Sequence, residues 1–412
     1  MTATPGMLAM RIVVLAGAAG LAAAAGTAAS TVLVARLVVT PPTRQVEDAR
    51  ILSVSQNRTE ITLHATRDSL VPGRYSLWFS GDTGYARIGR ILTRGPRTVT
   101  RAVEAVDYGE LHLAKRGRYG SWYFLHPDEL GFPYQNVAIE TDLGPAPAWY
   151  LPADECDGNA RWVIMVHGRA AQRQGALRAI PVFRAAGYCS LLVSYRNDGE
   201  APYSADRRYA LGTAEWRDIE AGMSFAVEHG AREIVLMGWS MGGAIVLQTV
   251  ARTALHDLVS GVILDSPVVD WVDTLHFHAR LLKIPRWFAR SVMWMIAEPW
   301  AGRFTGQGSP IDLDTLNFVT HADELDVPIL LMHSDDDRFV PSTASRALSR
   351  ARPDIVTFVP FGVARHTKLW NYDPDRWMAS ITDWLGLLRA DRELRPDLPL
   401  RPAQQTGHAA NP

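Results

Sequence analysis

The order of hydrophobic and polar positions divides this chain into unlike stretches. From Ile12 to Ala35 no charged residue occurs, while Arg11 stands on one side and Arg36, Arg44 and Arg50 on the other. As a helix the stretch would span ~36 Å, enough for a ~30 Å hydrocarbon core. It predicts a membrane-spanning hydrophobic helix within residues 1–44, the rest of that segment being linker. A cleaved signal peptide is the main competing reading, because Ala23-Ala24-Ala25 and Thr27-Ala28-Ala29 offer small-residue cleavage sites; a buried helix is a third. Between residues 45 and 130 polar and apolar positions alternate, in Glu60–His64, Arg74–Phe79, Tyr85–Leu92 and Val99–Val103. Pro72-Gly73, Gly81-Asp82 and Gly95-Pro96 separate them. Period two punctuated by turn formers predicts short antiparallel strands and a small β-rich accessory domain.

After Phe132-Pro133 strands and helices alternate. Asn136–Thr141 and Ala148–Leu151 read as a hairpin around Gly144-Pro145, and the uninterrupted apolar run Trp162–Val166 as a strand covered on both faces. Further strands are predicted at Tyr188–Tyr195, Ile234–Met237, Leu258–Leu264, Val327–Met332 and Ile355–Val359. Helices are predicted at Gln172–Ala186, Thr213–His229, Ala244–Val250 and Asp375–Leu388. This rhythm predicts an α/β fold, a doubly wound and mostly parallel sheet, over residues 131–390. Between Ser266 and Leu325 no strand is predicted, but Trp271, Phe277, Trp287, Phe288, Trp294, Trp300 and Phe304 recur at helical spacing. They predict a helical cap over about residues 267–325 whose aromatics shape a substrate pocket. The proline-rich residues 391–412 are predicted to be disordered.

Hydrophobic residues at 47% and charged ones at 21% of 412 describe an ordinary globular chain, long enough for two domains. A net charge of -1 provides no basic face for phosphates, so nucleic acid is not an expected partner. No Walker-type loop, H-E-x-x-H or paired C-x-x-C occurs, so no metal or organic cofactor is implied. Cys156 and Cys189 are the only cysteines; they stand near the starts of two strands and could pair in an oxidising compartment or remain thiols.

The chemistry gathers around Gly238-Trp239-Ser240-Met241-Gly242. This is G-x-S-x-G between a predicted strand and a predicted helix, the context that sets a serine on a strained turn at a helix N-terminus. A serine hydroxyl needs an adjacent base, itself oriented by a third group. Downstream, the strand Val327–Met332 runs into His333-Ser334-Asp335-Asp336-Asp337 with Val340-Pro341, and the last strand leads to His366 and Trp370. Upstream, Val166 is followed by His167-Gly168-Arg169. The backbone N–H of Arg169 and that of Met241 are the candidate oxyanion donors. The Arg169 side chain is then free to meet an anionic substrate group or to line the mouth, and Tyr195-Arg196-Asn197 reads as structural.

Taken together, these pieces make the chain from about Asn136 to Leu388 resemble an α/β-hydrolase of the serine-aminopeptidase-like and esterase branch. The resemblance implies Ser240 as nucleophile, His366 as base and Asp337 as acid. Asp337 falls four residues after the histidine of an H-G-x-x-D-x-x-V-P segment, with Ser334 where the glycine usually stands. Asp335 and Asp336 are then solvated or capping neighbours. A minority of the family takes its acid after the preceding strand, where Asp265 sits. The expected function is a membrane-associated serine hydrolase, an esterase or acyl hydrolase with thioesterase or lipase-like variants, acting on an apolar acyl substrate through an acyl-enzyme. A serine peptidase of the same fold, a non-catalytic scaffold, and acyl-transfer or haloperoxidase-like chemistry are the alternatives. The expected location is a membrane, or secretion if the leading segment is cleaved. Removing Met1 to Pro42 is expected to leave a soluble, active enzyme.

Overall fold

The computed structural model describes residues 26–42, 45–154 and 160–394. Residues 49–120 form a closed six-stranded barrel. Its strands are β1 (Ala49–Val54), β2 (Glu60–His64), β3 (Tyr75–Phe79), β4 (Gly84–Arg94), β5 (Thr98–Tyr108) and β6 (Arg116–Gly120), in the order β1-β2-β5-β4-β3-β6. Alternation sends Ile61, Leu63, Leu77, Ile88 and Val99 inward, where they are fully buried. The first and last strands carry no run of apolar residues: β1 buries only Ala49 and Ile51, and β6 reads Arg-Gly-Arg-Tyr-Gly. They pair with each other and close the barrel, which leaves no free edge. Arg101 is completely buried inside. Its guanidinium donates to Gly89 O (2.9 Å), Ser69 O (3.0 Å), Val71 O (2.8 Å) and Gly73 O (2.7 Å) and lies 5.2 Å from the Tyr75 ring. Carbonyl dipoles, rather than a carboxylate, solvate that charge.

The second sheet has eight strands: β7 (Gln135–Thr141), β8 (Gly144–Leu151), β9 (Ala160–Val166), β10 (Tyr188–Val193), β11 (Ala231–Trp239), β12 (Val259–Asp265), β13 (Ile329–Ser334) and β14 (Val356–Phe361). Their order is β14-β13-β12-β11-β9-β10-β8-β7. The six strands from β14 to β10 are parallel, and β8 and β7 add an antiparallel edge. In β9, Trp162, Ile164 and Val166 enter one core and Val163 and Met165 the other, as a run covered on both faces must. Cys189, near the start of β10, is buried, and no described cysteine is free; Cys156 lies outside the described residues.

Counting from the N-terminus, the helices are α1 (26–39), α2 (Ile180–Ala185), α3 (Trp216–Glu228), α4 (Met241–Arg252), α5 (Trp271–Leu281), α6 (Arg286–Ala297), α7 (Gly302–Thr305), α8 (Thr343–Ala351), α9 (Leu369–Tyr372) and α10 (Pro374–Leu394). The helix expected over Gln172–Ala186 divides into a 3-10 stretch, Arg173–Ala179, and α2, with Pro181 in the first α-helical turn. α10 continues to Leu394 through good helix formers, so residues 391–394, expected in the disordered tail, are helical; residues 395–412 lie outside those described.

α5, α6 and α7 form the cap. Of its aromatics only Trp271 and Phe288 face inward to the cavity described below, while Trp287, Trp294, Trp300 and Phe304 are exposed, which corrects the expectation that the whole set shapes a pocket. α1 lies against this cap. Thr31, Ala35 and Val39, spaced four apart on one helical face, are buried, and Tyr209 N donates to Val39 O at 2.8 Å. Among the described residues no helix is long and apolar enough to cross a membrane. Residues 12–25 of the expected span lie outside the described part. Residues 26–35 of that span form most of α1, where small residues let it pack on protein, and residues 36–40 are docked with it.

Candidate active site

β11 ends at Trp239 and α4 begins at Met241, so Ser240 alone turns the chain, at φ 53° and ψ -118°. A non-glycine residue held there carries strain of about 1–3 kcal/mol. Strand and helix approach so closely that a Cβ on Gly238 would stand 2.5 Å from Gly242 O, and one on Gly242 would collide with Val166 O. The turn lifts Ser240 Oγ to the carboxyl edge of the sheet, over the positive end of α4. There His366 Nε2 lies 2.9 Å from Ser240 Oγ, and His366 Nδ1 lies 2.7 Å from Asp337 Oδ2.

Asp337 is buried. Its Oδ1 accepts from Phe339 N (2.7 Å) and Val340 N (2.9 Å), and its Oδ2 also faces His333 Nε2 at 3.3 Å. Burial alone would raise this carboxyl, but the His366 charge and hydrogen bonds from His333 and His366 hold it well below the usual carboxylate range. Asp265 is equally buried at the end of β12, yet its oxygens accept from Trp377 Nε1 (3.0 Å) and Ser266 Oγ (2.9 Å). Burial pushes the Asp265 carboxyl up, with the Arg178 charge offsetting part of that rise. The carboxylate that reaches His366 is therefore Asp337.

Two neighbours do more than the sequence reading assigned them. Ser334 Oγ donates to Asp336 Oδ1 (2.8 Å) and accepts from Ala364 N (3.0 Å), so it ties the acid loop to the histidine loop, which a glycine cannot do. Asp336, read as solvated or capping, accepts from Arg365 N at 3.1 Å and pairs with the Arg365 guanidinium. Asp335 is exposed and pairs with Arg346 at 2.6 Å. The barrel holds the same histidine loop from outside. Arg365 donates to Arg67 O (3.0 Å) and faces Asp68 (3.3 Å), while Asn371 exchanges two 2.9 Å hydrogen bonds with the Arg74 backbone.

On the other side of Ser240, the loop after β9 carries the oxyanion candidates. Met241 N is the first of the orphan N–H groups of α4, and the Arg169 N–H has no acceptor among the described residues. Tyr195 Oη donates to His167 O (3.2 Å) and Gly168 O (3.1 Å), and the Tyr195 ring stacks on His167, which meets Asp198 at 3.1 Å. Arg196 forks onto Asp218 (2.9 and 2.7 Å) and Asn197 donates to Arg208 O (2.7 Å), so all three residues after β10 have structural partners. The Arg169 side chain is not free to meet an anion. Its guanidinium donates to Leu37 O (2.9 Å), Val38 O (3.3 Å) and Thr40 O (2.8 Å), the carbonyls left over at the end of α1. Burial lowers its pKa, the nearby tyrosines offsetting part of the drop.

Two cavities meet at Ser240. One, of about 290 Å³, is almost wholly apolar and runs under the cap, with Val34, Leu37 and Val38 of α1 facing Leu275, Phe288 and Val292. The other, of about 580 Å³, opens between barrel and sheet and reaches from Ser240 and His366 to Trp78 and Arg118.

A family model described as the alpha/beta hydrolase family matches residues 163–381, and one described as a domain of unknown function (DUF8805) matches residues 50–120, the barrel. No curated protein matches the chain. Among solved structures, the chain is similar to the Pyrococcus furiosus esterase PF2001 (19% identity, 64% of this chain and 94% of that one, TM-score 0.49). It is also similar to the esterase RhEst1 from Rhodococcus sp. ECU1013 (18% identity, 62% and 99%, TM-score 0.43). A third is 2-hydroxy-6-oxo-6-phenylhexa-2,4-dienoate hydrolase from Rhodococcus sp. strain RHA1 (16% identity, 62% and 100%, TM-score 0.45).

Proposed function

Since the chain belongs to the alpha/beta hydrolase family, we propose that it is a serine hydrolase of acyl esters, with Ser240 as nucleophile, His366 as general base and Asp337 as the orienting acid. The observation that carries this reading is the unbroken hydrogen-bonded chain Ser240–His366–Asp337, at 2.9 and 2.7 Å, beside an apolar cavity. In the first half-reaction His366 Nε2 takes the Ser240 proton while Oγ attacks the acyl carbonyl carbon. The oxyanion lies against the N–H groups of Met241 and Arg169, and Asp337 stabilises the imidazolium without itself taking the proton. The carbon–oxygen bond to the leaving group then breaks, and His366 delivers its proton to the departing oxygen. In the second half, His366 deprotonates a water that attacks the acyl-enzyme; the acid departs and Ser240 recovers its proton.

An ester is favoured over a peptide because the polar side of the site has no free acidic pair to hold an amino terminus. Of its two carboxylates, Asp68 is engaged by Arg365 and Lys368. The apolar cavity supports an acyl chain as the part of the substrate held under the cap. Attachment to a membrane belongs to the same proposal: the chargeless residues 12–25 lead directly into α1, which walls that cavity. The test is active-site labelling with a fluorophosphonate beside turnover of 4-nitrophenyl octanoate. Wild-type protein should do both and Ser240→Ala neither, with a rate loss on the order of a millionfold. A Ser240→Ala variant that kept its rate would refute the assignment.

A further inference from the structure

A carbonyl attacked by Ser240 has two substituents, and the two cavities that meet at Ser240 differ sharply in chemistry. The apolar one suits an acyl chain. The larger cleft is walled by six cations, Arg118, Arg169, Arg178, Arg338, Arg365 and Lys368, against two carboxylates, Asp48 and Asp68; Arg169 is engaged by the α1 carbonyls. Arg365 is paired with Asp336 and Asp68, Lys368 with Asp68 at 3.8 Å, and Arg118 with Asp82 at 3.1 Å. Arg338 is exposed and makes no hydrogen bond or ion pair among the described residues. Arg178 is buried and bound only to neutral oxygens, Ser121 O (3.3 Å), Thr367 O (3.0 Å) and Asn371 Oδ1 (3.1 Å). Asp265, buried behind this wall, offsets part of the Arg178 charge, so it is the exposed Arg338, without a partner among the described residues, that leaves the open cleft positively charged.

Orphaned donors lie in the same wall. Trp239 is 3% exposed and its indole N–H has no acceptor among the described residues; the same is true of Nε of Arg178, whose guanidinium lies 5.4 Å from the Trp239 ring, and of Arg118 Nε in the barrel. Buried donors without acceptors are costly, and three of them belong to residues that line this cleft.

We propose that this cleft is the leaving-group subsite and that it selects an anionic leaving group, one bearing a carboxylate or phosphate. The substrate class is then an amphiphilic ester with its acyl chain under the cap and its anionic half between sheet and barrel. This inference rests on the reading of Ser240 as nucleophile. It also assigns the barrel a part in catalysis: Arg118 and Trp78 supply the far wall of the subsite, while the contacts of Asp68 and Arg74 hold the histidine loop beside it.

The experiment compares two esters with one acyl group, 4-nitrophenyl octanoate and 3-carboxy-4-nitrophenyl octanoate, on the full-length protein. At low salt the carboxylated ester should have the higher kcat/KM by on the order of tenfold, mainly through KM, as a charge-assisted contact provides. Added salt should shrink that ratio, because the cleft is open to solvent. Arg338→Gln, on the sheet side, and Arg118→Gln, in the barrel, should each bring the ratio toward one, with fluorophosphonate labelling of Ser240 as the check on folding. A wild-type ratio at or below one, or a ratio indifferent to both substitutions, overturns the subsite while leaving the serine hydrolase intact. Failure of the wild type on both esters, without labelling, overturns the underlying assignment and the subsite with it.

Discussion

The sharpest difference between sequence and structure concerns residues 26–42, and it can be measured. Deleting Met1 to Pro42 removes α1 with its buried Ala35 and Val39 and the half-buried Val32, Val34 and Val38. At 1.5–3 kcal/mol for a fully buried valine-sized side chain, the apolar part of this docking is roughly 5 kcal/mol. Ordering a short helix consumes part of that. A net loss of about 2–4 kcal/mol would lower the melting temperature by roughly 2–6 °C in a chain of this size. The kinetic effect is more specific. Val34, Leu37 and Val38 form one wall of the apolar cavity, and Arg169, beside Ser240, loses three carbonyl partners. An octanoyl chain with about two methylenes against that wall would lose about 1.6 kcal/mol, near fifteenfold in kcat/KM, whereas an acetyl group does not reach it. The assay is therefore the ratio of kcat/KM for 4-nitrophenyl octanoate to that for the acetate, in protein lacking residues 1–25 and in protein lacking residues 1–42. The shorter deletion should keep the full-length ratio, and the longer one should reduce it by about tenfold or more and lower the melting temperature. A 1–42 deletion with an unchanged ratio and melting temperature would refute the role drawn for α1.

Other consequences can be checked with single substitutions. Asp337→Asn should lower kcat by on the order of 10⁴, as when a catalytic histidine loses its orienting acid. Asp265→Asn, whose partners are Trp377 and Ser266, should cost far less rate, and the opposite ranking would move the acid to β12. Ser334→Gly should lose two hydrogen bonds, one within the acid loop and one to the histidine loop, about 1 kcal/mol each, and slow turnover more than a surface Ser→Gly change does. Val292→Phe should fill the cavity under the cap and shift the best acyl chain toward shorter esters; an unchanged profile would place the acyl group elsewhere. Because the Asp337 carboxyl is held below its unfolded value near ~3.9, its contribution to stability is present above that pH and fades as pH falls through the lower folded value. Chemical denaturation below about pH 4 should therefore show a shallower acid limb in Asp337→Asn than in the wild type.

Local pattern alone determined much of this molecule. Uninterrupted apolar runs identified β9, β11, β12 and β13, period-two alternation identified β2 to β5, and G-x-S-x-G between strand and helix located Ser240, because each signal depends only on near neighbours in the chain. Resemblance to the family's motifs singled out Asp337 and His366, 29 and 126 residues from their hydrogen-bond partners' positions in the chain. Tertiary structure decided what depends on distant residues. β1 and β6 carry no apolar run and exist because barrel closure pairs them. Ser334 and Asp336 look like loop punctuation until Ala364 and Arg365 arrive from another strand's end. The stretch read as a membrane span ends as α1 on the cap, since a chargeless alanine-rich helix suits lipid and a protein groove equally, and only the groove built by residues 271–296 distinguishes them. The guanidinium of Arg169, open from sequence to an anionic ligand, is taken by the last carbonyls of that helix. A side chain's partners are set by what the fold brings within about 3 Å, and no spacing along the chain encodes that for residues 130 positions apart.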